Sequence, residues 1–282
     1  MKIISSIDVI ADQYDALLCD VWGVLHNGRR AYPAACAALQ RMRLRGKPVI
    51  LITNVPKPRG PIPVQLDKAG VPRDAWDAIV TSGDAIRAEL AKRAPGPMYR
   101  IGPADYDRPL WEGLGLVEAP LAEAAFVAVS GLNRDDETPA DYVRVLQDAK
   151  ARDLDLICAN PDIVVQFGKR MIWCAGALAR DYEALGGRVI MAGKPYAPIY
   201  ELAYRELELV TGSAAAARIL CIGDGIPTDI AGANAQGLDS LFIASGMHGE
   251  ALRKDGALDL NKARAALNSA SAKATYVMLE LA

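Results

Sequence analysis

Leu17-Leu18-Cys19-Asp20-Val21-Trp22-Gly23-Val24-Leu25-His26-Asn27-Gly28 is the stretch from which the fold of this chain is read. An apolar run stops abruptly at the carboxylate of Asp20, and Gly23 and Gly28 then let the backbone bend. A short apolar run bounded by turn signals suits a strand buried on both faces of a parallel sheet. In open parallel sheets, ligands sit beyond the carboxyl ends of the strands, which puts Asp20 at the mouth of a site. Taken alone, the stretch favours a plainer role, an Asp that ends a strand and caps the next turn. Other strand ends reverse that balance.

Working outward, residues 6–14 read as a short amphipathic lead-in helix. Residues 33–45 read as a helix with Ala35, Leu39 and Met42 near one face, stopped by Gly46. Pro48-Val49-Ile50-Leu51-Ile52-Thr53-Asn54 is a second β-branched run ending in small polar residues. Strand, helix and strand within about thirty residues is the βαβ pattern of a parallel sheet. Pro56, Pro58, Pro61 and Pro63 constrain the loop that follows. A helix through 65–68 and a strand over 78–81, ending at Ser82-Gly83, close this first block.

From residue 82 to 187 the character changes. Strands expected at 98–101, 125–130 and 154–159 alternate with helices at 140–151 and 175–185, and none ends like Asp20 with its glycines. The segment reads as an α/β cap inserted into the first domain. The core pattern is expected to resume at Arg188-Val189-Ile190-Met191, followed by Ala192-Gly193-Lys194-Pro195. A helix over 198–209 precedes a strand over 218–222, which runs into Gly223-Asp224-Gly225-Ile226-Pro227-Thr228-Asp229. Residues 241–244 read as the last strand, Ala214 to Ala217 as helix, and 261–281 as a closing helix. The expected division is a core of 1–81 and 188–282 around a cap of 82–187.

The chain has 282 residues, a length that suggests about two domains. It is 51% apolar and 23% charged, enough for a sizeable core and against disorder. A net charge of −2 gives no electrostatic footprint for nucleic acid or an anionic membrane. No apolar run approaches bilayer-spanning length, and the N-terminus lacks a secretory signal, so a cytoplasmic location is the default expectation. Cys19, Cys36, Cys158, Cys174 and Cys221 form no Cys-x-x-Cys pair, and two histidines are too few for a histidine-rich metal site.

The strand and loop ends offer matched chemistry. Asp20 is a candidate nucleophile, Thr53 an uncharged donor, Lys194 a fixed cation, and Asp224 with Asp229 a second acidic pair. Carboxylates brought together repel unless a cation neutralises them, and oxygen ligands with open water positions suit Mg²⁺. Metal, lysine and hydroxyl converging on one point make a cradle for a phosphoryl group. Each residue has a plainer role open to it. Thr53 and Asn54 can terminate a strand, Lys194 can be solvated, and Asp229 can cap a helix. Their order at successive strand ends is what favours a site.

That order resembles the haloacid dehalogenase (HAD) superfamily, class IIA, aspartyl-phosphate hydrolases with a large α/β cap between the second and third motifs. Asp20 with Gly23 and Val24 resembles the first motif, Thr53 with Asn54 the second, and Lys194 the third. Gly223-Asp224 to Thr228-Asp229 resembles the fourth. Ala159-Asn160-Pro161-Asp162 and Gly176-Ala177-Leu178 resemble class IIA cap signatures. The resemblance implies a Rossmann-like, doubly wound parallel core with an inserted α/β cap, and a Mg²⁺-dependent phosphatase. It implies that Asp20 attacks phosphorus, and that Asp20, the Trp22 carbonyl and Asp224 hold Mg²⁺ with Asp229 behind its water shell. Thr53 and Lys194 would hold the phosphoryl oxygens. The substrate would be a small phosphorylated metabolite: a sugar phosphate, nucleotide or aryl phosphate. Asn54 and the cap residues Asn133, Arg134, Asn160 and Asp162 are the expected substrate contacts. Class IIA proteins often pair through the cap, so a homodimer is the partner expectation.

One position departs from the family. Its phosphatases carry a second aspartate two residues after the nucleophile, which protonates the leaving group and then activates water. Here that position is Trp22, which transfers no proton. His26 is the nearest titratable alternative, and Trp22 also suits a packing aromatic or stacking wall under the cap. A phosphometabolite-binding protein of weakened activity and, further off, a metal-independent dehalogenase are the competing readings.

Overall fold

The computed structural model describes residues 1–167, 170–212, 218–247 and 249–282. Its strands in the first part of the chain are β1 (Lys2–Ile3), β2 (Ala16–Cys19), β3 (Val49–Thr53), β4 (Ala78–Thr81), β5 (Met98–Ile101), β6 (Phe126–Val129) and β7 (Asp155–Cys158). There follow β8 (Val164–Phe167), β9 (Arg170–Trp173), β10 (Arg188–Met191), β11 (Ile219–Gly223), β12 (Asp239–Ile243), β13 (Arg253–Lys254), β14 (Ala257–Leu258) and β15 (Tyr276–Met278).

Seven strands form one parallel sheet in the order β1-β15-β12-β11-β2-β3-β4. Strand β2 is buried along its whole length because side chains alternate between two apolar layers. Leu17 and Cys19 join the layer containing Leu39 and Met42 of the helix Pro33–Leu44. Ala16 and Leu18 face the layer containing Ile199, Tyr200 and Ala203 of the helix Ala197–Thr211. Truncating a leucine so enclosed costs about 2–5 kcal/mol. From β2 the chain winds outward through β3 and β4; on the other side it winds through β11, β12 and β15. The boundary between β2 and β11 is therefore the switch point at which such sheets bind ligands.

A second parallel sheet has the order β10-β7-β6-β5, with the helices Val143–Ala151 and Ala175–Ala184 packed on it. An antiparallel hairpin, β8–β9, follows β7 in the chain and precedes the helix Ala175–Ala184. The result is an α/β fold with a parallel core sheet and a separate inserted parallel sheet.

Two expectations are corrected. Residues Arg188–Met191 do not resume the core sheet; they pair in register with β7 at the edge of the second sheet. Buried parallel strands share the same β-branched composition, so the sequence of one does not say which sheet it joins. The tail is not one helix. The helix Leu260–Ser269 ends before Ser271, whose φ of 52° is left-handed, and β15 then fills the core sheet between β12 and β1. The break was hidden because no glycine marks it. Residues 241–244 are accordingly not the last strand, and the alanine run Ala214 to Ala217 lies outside the described residues. Among the described residues, no helix is long and apolar enough to cross a membrane.

Candidate active site

The register of the two central strands brings the first and fourth motifs together. Cys19 lies opposite Ile222, and Asp20 N–H donates to the Ile222 carbonyl at 2.8 Å. Asp20 and Asp224 therefore leave neighbouring strands at nearly the same level. Carboxylate oxygens of Asp20, Asp224 and Asp229 all lie within 4.8 Å of one another, and all three residues are buried.

Lys194 reaches this cluster from the loop after β10. Its Nζ donates to Asp20 Oδ1 at 2.5 Å and to Asp229 Oδ1 at 2.6 Å. The backbone of Lys194 is fixed by Asn54, whose Oδ1 accepts from Lys194 N at 2.7 Å and whose Nδ2 donates to the Lys194 carbonyl at 3.1 Å. Gly193 permits this approach, since a Cβ there would lie 2.6 Å from Asn54 Oδ1. Asp229 is not a helix cap. It sits within the short helix Ile226–Ile230, and its Oδ2 accepts from Gly225 N at 2.9 Å.

Asp224 is held by Met247 N–H, which donates to its Oδ2 at 2.5 Å. Gly23 and Gly246 border the same carboxylate so closely that a Cβ on either would run into it. Gly23 also has a φ of 87°, a conformation that disfavours any side chain. The glycine three residues after Asp20 thus makes room for the carboxylate of the neighbouring strand.

The electrostatics follow from three carboxylates against one ammonium. Burial pushes the Asp20 carboxyl up, Lys194 opposes that shift, and Asp229 and Asp224 add to it. Burial and Asp229 push Asp224 up to about 7. Burial would favour the neutral amine of Lys194, but Asp20 and Asp229 outweigh it and hold the ammonium well above the ordinary lysine range. Two carboxylates resisting ionisation mark a site with too little positive charge. A hard divalent cation offsets that deficit, and an all-oxygen donor set fits Mg²⁺.

The acidic cluster, with Trp22, Thr53 and Lys194, lines a chamber of about 40 Å³. Trp22, Thr53, Asp162 and Val165 also line an adjoining cavity of about 480 Å³ between core and cap. These four residues form the neck between the two spaces. Asp162 joins core to cap there, its Oδ1 accepting from Asn54 Nδ2 at 2.8 Å. Burial raises the Asp162 carboxyl, against the pull of Lys194 and Asn54.

Trp22 is a wall. Its Nε1 donates to the Gln166 carbonyl of the cap hairpin at 2.7 Å, and its ring packs against Phe167 and His26. His26 is committed elsewhere: its Nδ1 accepts from Gly28 N at 2.9 Å, and burial lowers its pKa to about 4. It lines neither space. Of the expected cap contacts, Asn160 and Arg134 line the larger cavity, although Arg134 Nε turns to Asp136 at 3.0 Å. Asn160 Oδ1 accepts from Asp162 N at 3.0 Å and shapes that turn. Asn133 lines neither space; its Oδ1 accepts from Gly102 N and fixes the end of β5. Sequence reasoning missed the hairpin, the Met247 amide on Asp224, and the cavity walls Tyr106, Asp107 and Trp173. The β-branched and aromatic run Val164-Val165-Gln166-Phe167 was a strand signal available for the first of these.

Known proteins share this fold. A family model described as haloacid dehalogenase-like hydrolase matches residues 17–115, and a second HAD-hydrolase-like model matches residues 191–278. A haloacid dehalogenase-like hydrolase structure from Brucella suis 1330 is 44% identical, covers 99% of this chain and 100% of its own, and superposes with a TM-score of 0.88. The chain belongs to the HAD-like hydrolases. The ribonucleotide monophosphatase NagD of Escherichia coli K12 is 25% identical over 240 residues, 82% of this chain and 88% of the relative. A glycerol phosphate phosphatase from Mycobacterium tuberculosis, crystallised with magnesium, shares the fold at 22% identity and a TM-score of 0.66, covering 96% of this chain and 76% of its own.

Proposed function

We propose that this protein is a Mg²⁺-dependent phosphatase that hydrolyses a small organic phosphate through an aspartyl-phosphate intermediate. The observation that carries this reading is the seat of Lys194 Nζ between Asp20 and Asp229, with Asp224 in the same cluster. Asp20, Asp224, Asp229 and the Trp22 carbonyl would hold Mg²⁺, which supplies charge stabilisation for the phosphoryl oxygens. Asp20 attacks phosphorus, and Lys194 neutralises the charge between nucleophile and phosphoryl group while Thr53 adds a hydroxyl donor from the end of β3. The small chamber admits the phosphoryl group, and the larger cavity takes the organic part. Sugar phosphates, nucleotides and aryl phosphates are the substrate classes in view, supported by relatives that are nucleotide and glycerol phosphate phosphatases.

A slower variant of this reading is favoured by Trp22. The indole replaces the usual acid/base, and general acid–base assistance is worth roughly 10²–10⁴ in rate. Turnover is then best with good leaving groups, and ligand binding outlasts catalysis with poor ones. Phosphate release from 4-nitrophenyl phosphate and acetyl phosphate, with and without Mg²⁺, is the test. Release that requires Mg²⁺ and is lost in Asp20→Asn supports the reading. Absence of release from both, with a phosphate ester still bound tightly, moves the protein to the binding class.

A further inference from the structure

The far side of the larger cavity holds a buried carboxylate with one oxygen left unpaired among the described residues. Asp107 is only 1% exposed and lines the cavity. Its Oδ1 has no hydrogen-bond partner among the described residues. Asp107 stands at the N-terminus of the helix Arg108–Trp111, where an aspartate ordinarily caps, yet its side chain makes no capping bond. Beside it, Lys57 is 5% exposed and places its ammonium over the ring of Tyr106 instead of on an oxygen. A buried acceptor left unpaired is costly, so a position of this kind calls for a donor from outside the protein.

The rest of the cavity limits what that donor belongs to. Trp22, Tyr106, Phe167 and Trp173 line it, and aromatic faces of this kind receive flat rings by stacking. A second anion is disfavoured. Asp107, Asp135 and Asp162 all line the space, and Arg134, a cation on its wall, is paired with Asp136 and Glu137.

We propose that Asp107, with Tyr106 and the neighbouring aromatic walls, forms a recognition site for the organic half of the substrate, selecting a phosphate ester of a planar ring that carries an uncharged or cationic hydrogen-bond donor. This deepens the phosphatase reading and rests on it for the placement of the phosphate. Burial holds the Asp107 carboxyl up at about 6, with the Ser130 hydroxyl, Lys57 and Arg100 opposing, so it is mostly an acceptor at neutral pH.

Non-hydrolysable aryl phosphonates test it directly. Phenylphosphonate is compared with 4-aminophenylphosphonate, and 2-naphthylphosphonate with its 6-amino derivative, by calorimetry with Mg²⁺. The two ring sizes probe two depths of the cavity. In at least one pair the amino compound binds about tenfold tighter or better. The dimethylamino analogue, which accepts but does not donate, loses that gain on the unmodified protein, and Asp107→Leu brings the ratio close to one. A preference under tenfold in both pairs overturns the proposal, as does a gain kept by the dimethylamino analogue or by folded Asp107→Leu. Should Asp107→Leu not fold, the dimethylamino comparison decides alone. Discrimination among phosphonates without phosphate release from either 4-nitrophenyl phosphate or acetyl phosphate sinks the phosphatase reading and leaves the recognition site standing; release without discrimination does the reverse.

Discussion

Asn54 Nδ2 donates to Asp162 Oδ1 at 2.8 Å, so the residue after β3 ties the core to the cap at the neck between the two cavities. The same amide brackets the backbone of Lys194 with two further bonds. One side chain thus sets the position of the cation and the seat of the cap.

Separating those duties gives the first prediction. Asn54→Ala removes all three bonds, and kcat for 4-nitrophenyl phosphate falls about 10–100-fold with a stability loss of about 2 kcal/mol. Asp162→Ala removes only the tie to the cap, and its effect falls mainly on KM. Steady-state kinetics and urea unfolding on both variants check this. Equal losses of kcat would show that fixing Lys194 is not what Asn54 contributes.

Lys194 is the one lysine bonded to the acidic cluster among the described residues. Lys194→Met leaves buried carboxylates without their counter-charge, a change that costs about 3–5 kcal/mol. Activity falls about 100–1,000-fold. Because the deficit is of charge, adding Mg²⁺ stabilises Lys194→Met against urea more than it stabilises the parent protein. A variant as stable as the parent without Mg²⁺ would contradict the electrostatic account.

How much of this was legible follows from what kind of signal each residue carried. Asp20, Thr53 and Asp224 were visible because an apolar run that stops at a polar residue marks the end of a buried strand, where parallel sheets place their chemistry. Lys194 is legible from its place in the order of motifs, although the β-branched strand before it carries no mark of the sheet it joins. Asn133 and Asn160 looked alike as loop polar residues, yet backbone amides claim both side-chain oxygens, which only the folded turns reveal. Tyr106 and Asp107 sit in the loop after β5 and Trp173 ends β9, more than sixty residues on, so their convergence on one cavity had no sequence signature.

Trp22 supplies the third prediction. Trp22→Asp installs a carboxyl in the position the family uses for proton transfer, while removing the Nε1 bond to Gln166 and the contact with Phe167. The turnover of an alkyl phosphate such as glycerol phosphate therefore rises relative to that of 4-nitrophenyl phosphate, by up to about 10²–10⁴, because poor leaving groups need the proton more. KM rises as the cap hairpin loosens. If the ratio does not move in folded protein, the absent acid/base is not what limits turnover.

His26 gives a prediction in stability rather than rate. Burial lowers its pKa to about 4 from an ordinary 6.5, so between those values the unfolded chain binds a proton that the native state refuses. Stability from this group is present above about pH 6.5 and is lost as the pH falls towards 4. From pH 7 to 5 the loss is about 2 kcal/mol. Asp107 and Asp224, with raised carboxyls, contribute the opposite slope over the same range, so the informative quantity is a difference between proteins. His26→Asn, which keeps an acceptor for Gly28 N–H, shows a stability change from pH 7 to 5 that is more favourable than the parent's by about 2 kcal/mol in urea unfolding. Parallel pH profiles for the two proteins would mean that His26 takes up its proton in the folded state, and that the imidazole is open to solvent rather than sealed under Trp22.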